Sequence, residues 1–170
     1  MKDSDRPFHR IMDTNGEALA AVAEVIASAR QEIMIFDRTP ATLRERDIGR
    51  PESIDTIRTM LLGGKFRKLR VVLQELQGIE TELPRLTALL AQFGGQIAIH
   101  RAIGAARDVQ DVLVLADTHS VWRKPVHTHP RSILDCGDEA SVKPYLERFE
   151  EIWINSELAK IGRASCRERV

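Results

Sequence analysis

Arginine side chains are concentrated in the segment that follows the first predicted strand. The loop from residue 38 to 50 contains Arg38, Arg44, Arg46 and Arg50. Guanidinium groups bind phosphate and carboxylate oxygens through paired N–H donors, and ligands of open α/β sheets bind beyond the carboxyl ends of the strands. The loop is therefore a candidate anion site. Glu45 and Asp47 lie among the arginines, so a solvated loop of mixed charge is the alternative.

A second basic group follows the third predicted strand and comprises His100, Arg101 and Arg107. If the two strands are parallel, this group reaches the same edge of the sheet as the first. We therefore take Arg38, Arg44, Arg101 and Arg107 as the candidate anion-binding residues. An exposed loop without a ligand is again the alternative.

Two histidines near the C-terminal third raise the question of a metal site. His127 and His129 are two residues apart, so they would share one face of a strand, and Asp135 and Cys136 follow. Imidazole and thiolate groups are ligands that zinc prefers. Pro130 interrupts this run, however, and no CxxC or HExxH motif accompanies it. We predict polar loop histidines and a small buried cysteine, with no metal and no cofactor.

Apolar periodicity predicts the elements that position these residues. A capping box, Thr14 to Glu17, begins the first helix. Further helices are predicted from Pro51, over 81–93 and from about Ser141. The predicted strands are Ile33–Phe36, Leu69–Leu73, Gln96–His100, Asp111–Ala116, Val121–Trp122 and Ser132–Leu134. Helices alternating with short apolar strands indicate a single α/β domain with a mostly parallel sheet and helices on both faces.

The fourth strand carries the most informative pattern of the chain. The run Val-Leu-Val-Leu-Ala ends at Asp117, after two strand–helix units. This order of elements, from about Asn15 to Glu157, resembles a half-domain of the phospholipase D superfamily, whose signature is His-x-Lys-x4-Asp. Counting back from Asp117, the histidine position holds Gln110 and the lysine position holds Val112.

The resemblance implies a fold, but the residues argue against its chemistry. In that superfamily the histidine attacks phosphorus and the lysine stabilises the anionic transition state. Gln110 cannot form a phosphohistidine, and Val112 carries no charge. We therefore predict a non-catalytic phospholipase D-like domain, an accessory, phosphate-ligand-sensing or protein-binding module. The alternative is a phosphodiesterase with a relocated nucleophile such as His119. Without catalysis, Asp117 is predicted to be a turn residue at the end of its strand.

Composition and chain ends limit the remaining possibilities. Residues 161–170 resemble a translated sequencing adapter and are predicted to be a non-native tail. The rest of the chain is predicted to consist of an N-terminal extension, residues 1–13, and a phospholipase D-like domain, residues 14–160. Without the tail, which has three arginines and one glutamate, the formal charge falls from 0 to −2. Near-neutral charge does not favour nucleic acid as the partner, although a phosphorylated small molecule or nucleic acid remains possible.

The cellular location follows from cysteine usage and hydropathy. Outside the tail, Cys136 is the single cysteine, which fits a reducing compartment. The apolar runs are far shorter than the ~20 residues that span a bilayer, and the N-terminus has no apolar signal-peptide core. We expect a cytoplasmic protein without a membrane span.

The resemblance also predicts a symmetric homodimer. Active members of the superfamily bring two motif-bearing halves face to face, and this chain carries one, so the Asp111–Asp117 strands should lie near a two-fold axis. Light scattering at micromolar concentration should give the dimer mass. Val112→Asp should give monomers or insoluble protein, because an isologous interface brings the two new carboxylates together. A monomeric unmutated chain would contradict the prediction.

Overall fold

The structure, a computed structural model, describes residues 7–161. In these residues the strands are β1 (Phe8–Met12), β2 (Glu32–Asp37), β3 (Lys68–Leu73), β4 (Ile97–Ala102), β5 (Val112–Ala116), β6 (Ser120–Lys124), β7 (Ser132–Cys136) and β8 (Ser156–Leu158). The helices are α1 (Asn15–Ser28), α2 (Pro40–Glu45), α3 (Pro51–Leu62), α4 (Ile79–Glu82), α5 (Pro84–Gln92) and α6 (Glu139–Ile154), with a 3₁₀ helix at Gly104–Asp108. All of these strands form one sheet in the order β1-β7-β6-β5-β2-β3-β4-β8.

The single α/β domain is confirmed, whereas the sheet is mixed rather than mostly parallel. Only β2, β3 and β4 pair in parallel; the other five pairings are antiparallel. The connections explain the difference. Helical crossovers join the three parallel strands, but only residues 117–119 join β5 to β6, and so short a connection closes an antiparallel hairpin.

Helices cover both faces of the sheet, as predicted. Alternate side chains of each strand point to opposite faces, so Val112 and Val114 pack with α1 and α3 while Leu113 and Leu115 pack with α6. Strand β5 lies between β2 and β6, and every one of its residues is fully buried.

This burial overturns part of the dimer prediction. Val112 is 0% exposed within a single chain, so it cannot form a free surface at a two-fold axis. Val112→Asp would place a carboxylate in the chain's own core and unfold it, whatever the oligomeric state. The homodimer itself stays a prediction, with its interface elsewhere.

Residues near both ends of the described chain pack against the domain. Strand β1 pairs with β7, so part of the predicted N-terminal extension belongs to the sheet. Ile161, the first residue of the predicted tail, is half-buried against the core; the rest of that tail, 162–170, lies outside the described residues. Between residues 7 and 161, no helix combines the length and the apolarity needed to cross a bilayer. The cytoplasmic location stays a prediction.

A buried arginine attaches α6 to the sheet. Arg70 on β3 binds Glu32 of β2 and Glu150 of α6, and its guanidinium lies 5.0 Å from the ring centroid of Trp153. His100 stacks on the same indole, with 3.6 Å between ring centroids. The two basic residues therefore pack α6 onto the sheet, and Trp153 contributes to packing rather than to an open stacking surface.

Candidate functional site

A buried carboxylate at the end of β2 organises the candidate site. Asp37 is 0% exposed and accepts hydrogen bonds from the Arg38 backbone N–H (2.8 Å), the Thr42 hydroxyl (3.0 Å) and Arg46 Nε (2.6 Å). A buried charge requires such partners. Asp37 therefore holds the segment that follows β2 against the edge of the sheet.

That segment contains a short helix where the sequence predicted an irregular loop. Thr39 and Thr42 form a reciprocal capping box, and Pro40 occupies the first turn of α2. Arg46 follows the helix with a side chain that is only 12% exposed. Its guanidinium carbon lies 5.2 Å from the ring centroid of Trp122 on β6, so one arginine bridges Asp37 and the indole.

Four basic side chains surround one cavity of about 300 Å³ at this edge. Arg38 and Arg46 come from the segment after β2, Lys124 ends β6, and His127 lies three residues further on. The remaining lining residues are Asn15, Thr42 and Glu45. The elements meet here because β5 pairs with both β2 and β6. We call this space the basic cavity.

The basic groups repel one another. Burial, followed by the charges of Arg38 and Lys124, lowers the pKa of His127. Burial and the charge of Arg46 lower the pKa of Lys124. Burial is the larger cause of both shifts and the neighbouring positive charges add to it, so a bound anion would favour the protonated forms of both side chains.

The predicted motif positions Gln110 and Val112 lie at the same end of the sheet but do not form a polar site of their own. Gln110 is exposed; its side chain donates to the Asp108 carbonyl (3.2 Å). Val112 is buried and pairs in register with Lys124. The Gln110 carbonyl in turn accepts the backbone N–H of His127 (3.0 Å). Val112 and Gln110 therefore each have a basic residue of the following segment as a backbone neighbour.

The motif aspartate has a structural role at the other end of β5. Asp117 has a positive φ of 54°, and its carboxylate accepts the backbone N–H groups of Arg30, Gln31 and Glu32, each at 2.8 Å. Burial alone would raise the pKa of Asp117, but these three donors outweigh burial and lower it. Asp117 thus fixes the entry to β2.

His119 shares that end of the hairpin with Asp117. Its Nε2 lies 3.3 Å from Asp117, and its Nδ1 is 2.8 Å from the Ser120 hydroxyl. Lys124 and His127 lie at the opposite end of β6, about 13 Å away at the usual rise of a strand. The nucleophile considered from the sequence is therefore separated from the basic cavity.

Of the four candidate anion-binding residues, Arg38 alone lines the basic cavity. Arg44 is exposed and pairs with Glu82 (2.8 Å), and Arg101 is exposed and pairs with Glu157 (2.7 Å). Arg107 is exposed in the 3₁₀ helix. The structure does not bring these three residues to the site.

Sequence reasoning did not assign Arg46, Lys124 and His127 to one site. The sequence analysis named Arg46 as one of the loop arginines. It considered His127 only as a possible metal ligand. In the described residues, no group of three or more His, Cys, Asp or Glu side chains could hold a metal ion. Asp135 instead pairs with His9 at 2.6 Å across β1 and β7.

Comparison with known proteins places the chain in a family. A model of a domain of unknown function, DUF7931, matches residues 14–163. The chain belongs to this family. No curated protein matches it significantly.

Solved structures show which fold the chain has. The chain aligns with Nuc of Salmonella typhimurium, a phospholipase D family member, at a TM-score of 0.58 and 14% identity, covering 92% of this chain and 100% of Nuc. NucT of Helicobacter pylori aligns at 0.60 and 11% identity, covering 91% and 100%. TrmBL2, an archaeal chromatin protein, aligns at 0.61 and 16% identity; 89% of this chain spans 53% of that protein. This DUF7931 domain therefore has a phospholipase D-like fold.

The role of Asp117 generates a stability prediction. Asn tolerates a positive φ but carries no charge, so Asp117→Asn should lower the free energy of unfolding by about 1–2 kcal/mol at pH 7. The folded-state pKa of Asp117 is lowered, so its contribution exists above the unfolded pKa of about 3.9 and is lost as pH falls through the folded value. The difference from the unmutated chain should therefore shrink in acid.

Urea unfolding at pH 7 and in acid measures this effect. Asp47→Asn is the matched control, because Asp47 also has a positive φ (63°) but pairs only with the exposed Arg50. Equal losses for the two variants at pH 7 would contradict the role assigned to Asp117.

Proposed function

We propose that this DUF7931 domain is a non-catalytic phospholipase D-like module that binds a phosphate-bearing ligand in the basic cavity. The observation that carries the proposal is the convergence of Arg38, Arg46, Lys124 and His127 on one cavity. Guanidinium and ammonium groups are the usual protein donors to phosphate oxygens.

The charge balance of the cavity supports an anionic ligand. Asp37 neutralises Arg46, and Glu45 is the one carboxylate among the lining residues. Within the described residues, Arg38 and Lys124 have no ion-pair partner of their own. Three cations, Arg38, Arg46 and Lys124, thus face two carboxylates. Burial and, after it, the neighbouring positive charges lower the pKa values of Lys124 and His127.

A helix N-terminus adds to the same preference. Asn15, the first residue of the 14-residue helix α1, lines the cavity. The first turn of a helix presents free N–H groups and the positive end of the helix dipole, which favour an anion. This contribution is additional to the four side chains.

The fold is compatible with this ligand class. Nuc belongs to the phospholipase D family, a phosphodiesterase-type superfamily, and TrmBL2 binds DNA. A phosphorylated small molecule and a nucleic-acid backbone therefore both belong to the proposed class. We keep the homodimer as part of the proposal, with an interface that does not involve β5.

A phosphodiesterase with a relocated nucleophile is the second candidate, and His127 fits it better than His119. The lowered pKa of His127 favours the neutral imidazole, which a nucleophile requires, and Arg38 and Lys124 could stabilise a developing negative charge. Binding without turnover is nevertheless favoured. One histidine cannot act as nucleophile and as the acid that protonates the leaving group in the same step, and Gln110 supplies neither function.

Sulfate binding tests the proposed function, because sulfate keeps the same charge near neutral pH. Isothermal titration calorimetry should show that Arg38→Ala and Lys124→Ala each weaken sulfate binding about tenfold, as expected for one charge-assisted hydrogen bond. Arg44→Ala removes the same charge from the same segment and should change the affinity less than about twofold. Equal effects of all three variants would contradict a specific site.

The same titration has a predicted pH dependence. A bound anion favours protonated His127, whose pKa is lowered in the free protein, so binding takes up a proton and sulfate affinity should rise as pH falls. His127→Gln should remove this dependence. An unchanged pH dependence in that variant would exclude His127 from the site.

Turnover of bis-p-nitrophenyl phosphate separates the two candidates. We expect no activity above background, since the nucleophile and anion-stabilising positions hold Gln110 and Val112. Activity that survives purification, is lost in His127→Ala and is kept in His119→Ala would establish the phosphodiesterase instead.

A further inference from the structure

The segment that joins α3 to β3 exposes two large apolar side chains. Phe66 is 83% exposed, and Leu62, the last residue of α3, is 67% exposed. The other exposed large apolar side chains of the described residues lie in β1 and β8, after β4 and β6, and at the end of α6. We call residues 62–68 the α3–β3 turn. Burial of an aromatic ring is favourable, so a partner that covers Phe66 would gain affinity from it.

Polar contacts hold the α3–β3 turn in a defined conformation. The side-chain nitrogen of Gln96 lies 2.9 Å from each of the carbonyl oxygens of Leu61, Gly64 and Arg67. The Arg67 side chain lies against Gly63, where any Cβ would collide with it. The aromatic ring is therefore exposed by a turn that is fixed on both sides, and a partner would lose little free energy in ordering that turn.

Exposed cations lie beside these apolar side chains. Lys65 Nζ is 5.1 Å from the ring centroid of Phe66. Lys68 is the first residue of β3, and its backbone N–H donates to the Gln31 carbonyl (3.0 Å), so Arg30 lies at the same end of the sheet. The side chains of Arg30, Lys65 and Lys68 are exposed, and none of them forms an ion pair within the described residues.

Three carboxylates of this region have other partners. Glu32 on β2 and Glu150 on α6 are both bound to Arg70. Asp117 accepts the backbone N–H groups that precede β2. These acidic groups reduce the positive potential around the turn, but they do not pair with its exposed cations.

We propose that the α3–β3 turn binds the surface of an anionic lipid bilayer. In this arrangement Phe66 and Leu62 lie between the headgroups and the acyl chains, where aromatic and apolar side chains are favoured. Arg30, Lys65 and Lys68 lie over the anionic headgroups, and each of them adds to the affinity.

The composition of the turn favours a bilayer over a protein partner. A stable protein interface buries about 800 Å² on each partner around an apolar centre. Here two apolar side chains project from one turn, and exposed cations lie beside them. A few apolar anchors bordered by positive charge are the pattern of segments that bind anionic membrane surfaces.

The basic cavity lies at the other end of the sheet. Strands β2 and β3 are parallel; the α3–β3 turn precedes β3, whereas Arg38 follows β2. A domain attached through the turn therefore keeps the basic cavity open to dissolved ligands. Membrane attachment is thus independent of the proposed function.

Sedimentation of the full chain with vesicles tests this proposal. The chain should bind vesicles made of equal parts of phosphatidylcholine and phosphatidylglycerol, and it should stay in solution with vesicles of phosphatidylcholine alone. Phe66→Ala should weaken binding about tenfold, because it withdraws an aromatic ring from the bilayer. Lys65→Ala should weaken it about fivefold, because it removes one cation from the anionic surface. Concentrated salt should release the chain.

Two variants at the opposite end of the sheet are matched controls. Ile154→Ala removes an apolar side chain that is 78% exposed, and Arg107→Ala removes an exposed cation. Each should change vesicle binding by less than about twofold, because charges beyond the Debye length of about 10 Å are screened and a distant apolar side chain does not reach the bilayer. Phe66→Ala should keep the melting temperature of the unmutated chain, since the ring is exposed.

Absence of binding to the anionic vesicles would overturn the proposal and leave an acidic protein surface as the occupant of the turn. Equal losses in all four variants would overturn it as well, because the attraction would then not be localised to the turn. If Arg38→Ala lost vesicle binding and Phe66→Ala kept it, lipid phosphates would bind in the basic cavity. That result would exclude the turn and support the proposed function.

Discussion

The candidate site depends on the burial of one carboxylate. Asp37 ends β2 without any exposure, and a charge in that position is stable only if fixed donors surround it. The Arg38 backbone, Thr42 and Arg46 are those donors. Their geometry determines where α2 lies and where the two arginines meet the end of β6. Without Asp37, Arg46 would lose the partner that holds its side chain in the lining of the basic cavity.

The β5–β6 hairpin explains why basic residues lie at this end of the sheet although the predicted motif positions hold Gln110 and Val112. Val112 pairs with Lys124, and the Gln110 carbonyl accepts the backbone N–H of His127. Lys124 and His127 are thus backbone neighbours of Val112 and Gln110. The carboxylate of Asp117 binds three backbone N–H groups before β2, a structural role that requires no catalysis.

The local sequence pattern predicted most of the helices and strands. It could not predict which residues the pairing of distant strands brings into one site. Apolar runs placed β2, β3 and β5 within a residue or two, because buried strands have a clear composition. Helix α2 was not predicted, because the charged residues of this segment indicated a loop despite the Thr39–Thr42 capping box. Arg38 was predicted because it directly follows a strand. Lys124 and His127 join it only through the antiparallel pairing of β5 with β2 and β6, which no local pattern encodes.

A crystal structure of the chain with bound tungstate tests the central claim most directly. Tungstate is a tetrahedral dianion like sulfate, and its anomalous signal identifies the ion without reference to the side chains. The account predicts a tungsten peak in the basic cavity, with its oxygens within hydrogen-bond distance of Arg38, Lys124 and His127. A peak only at exposed arginines such as Arg101 or Arg107, with the basic cavity empty at saturating tungstate, would contradict it.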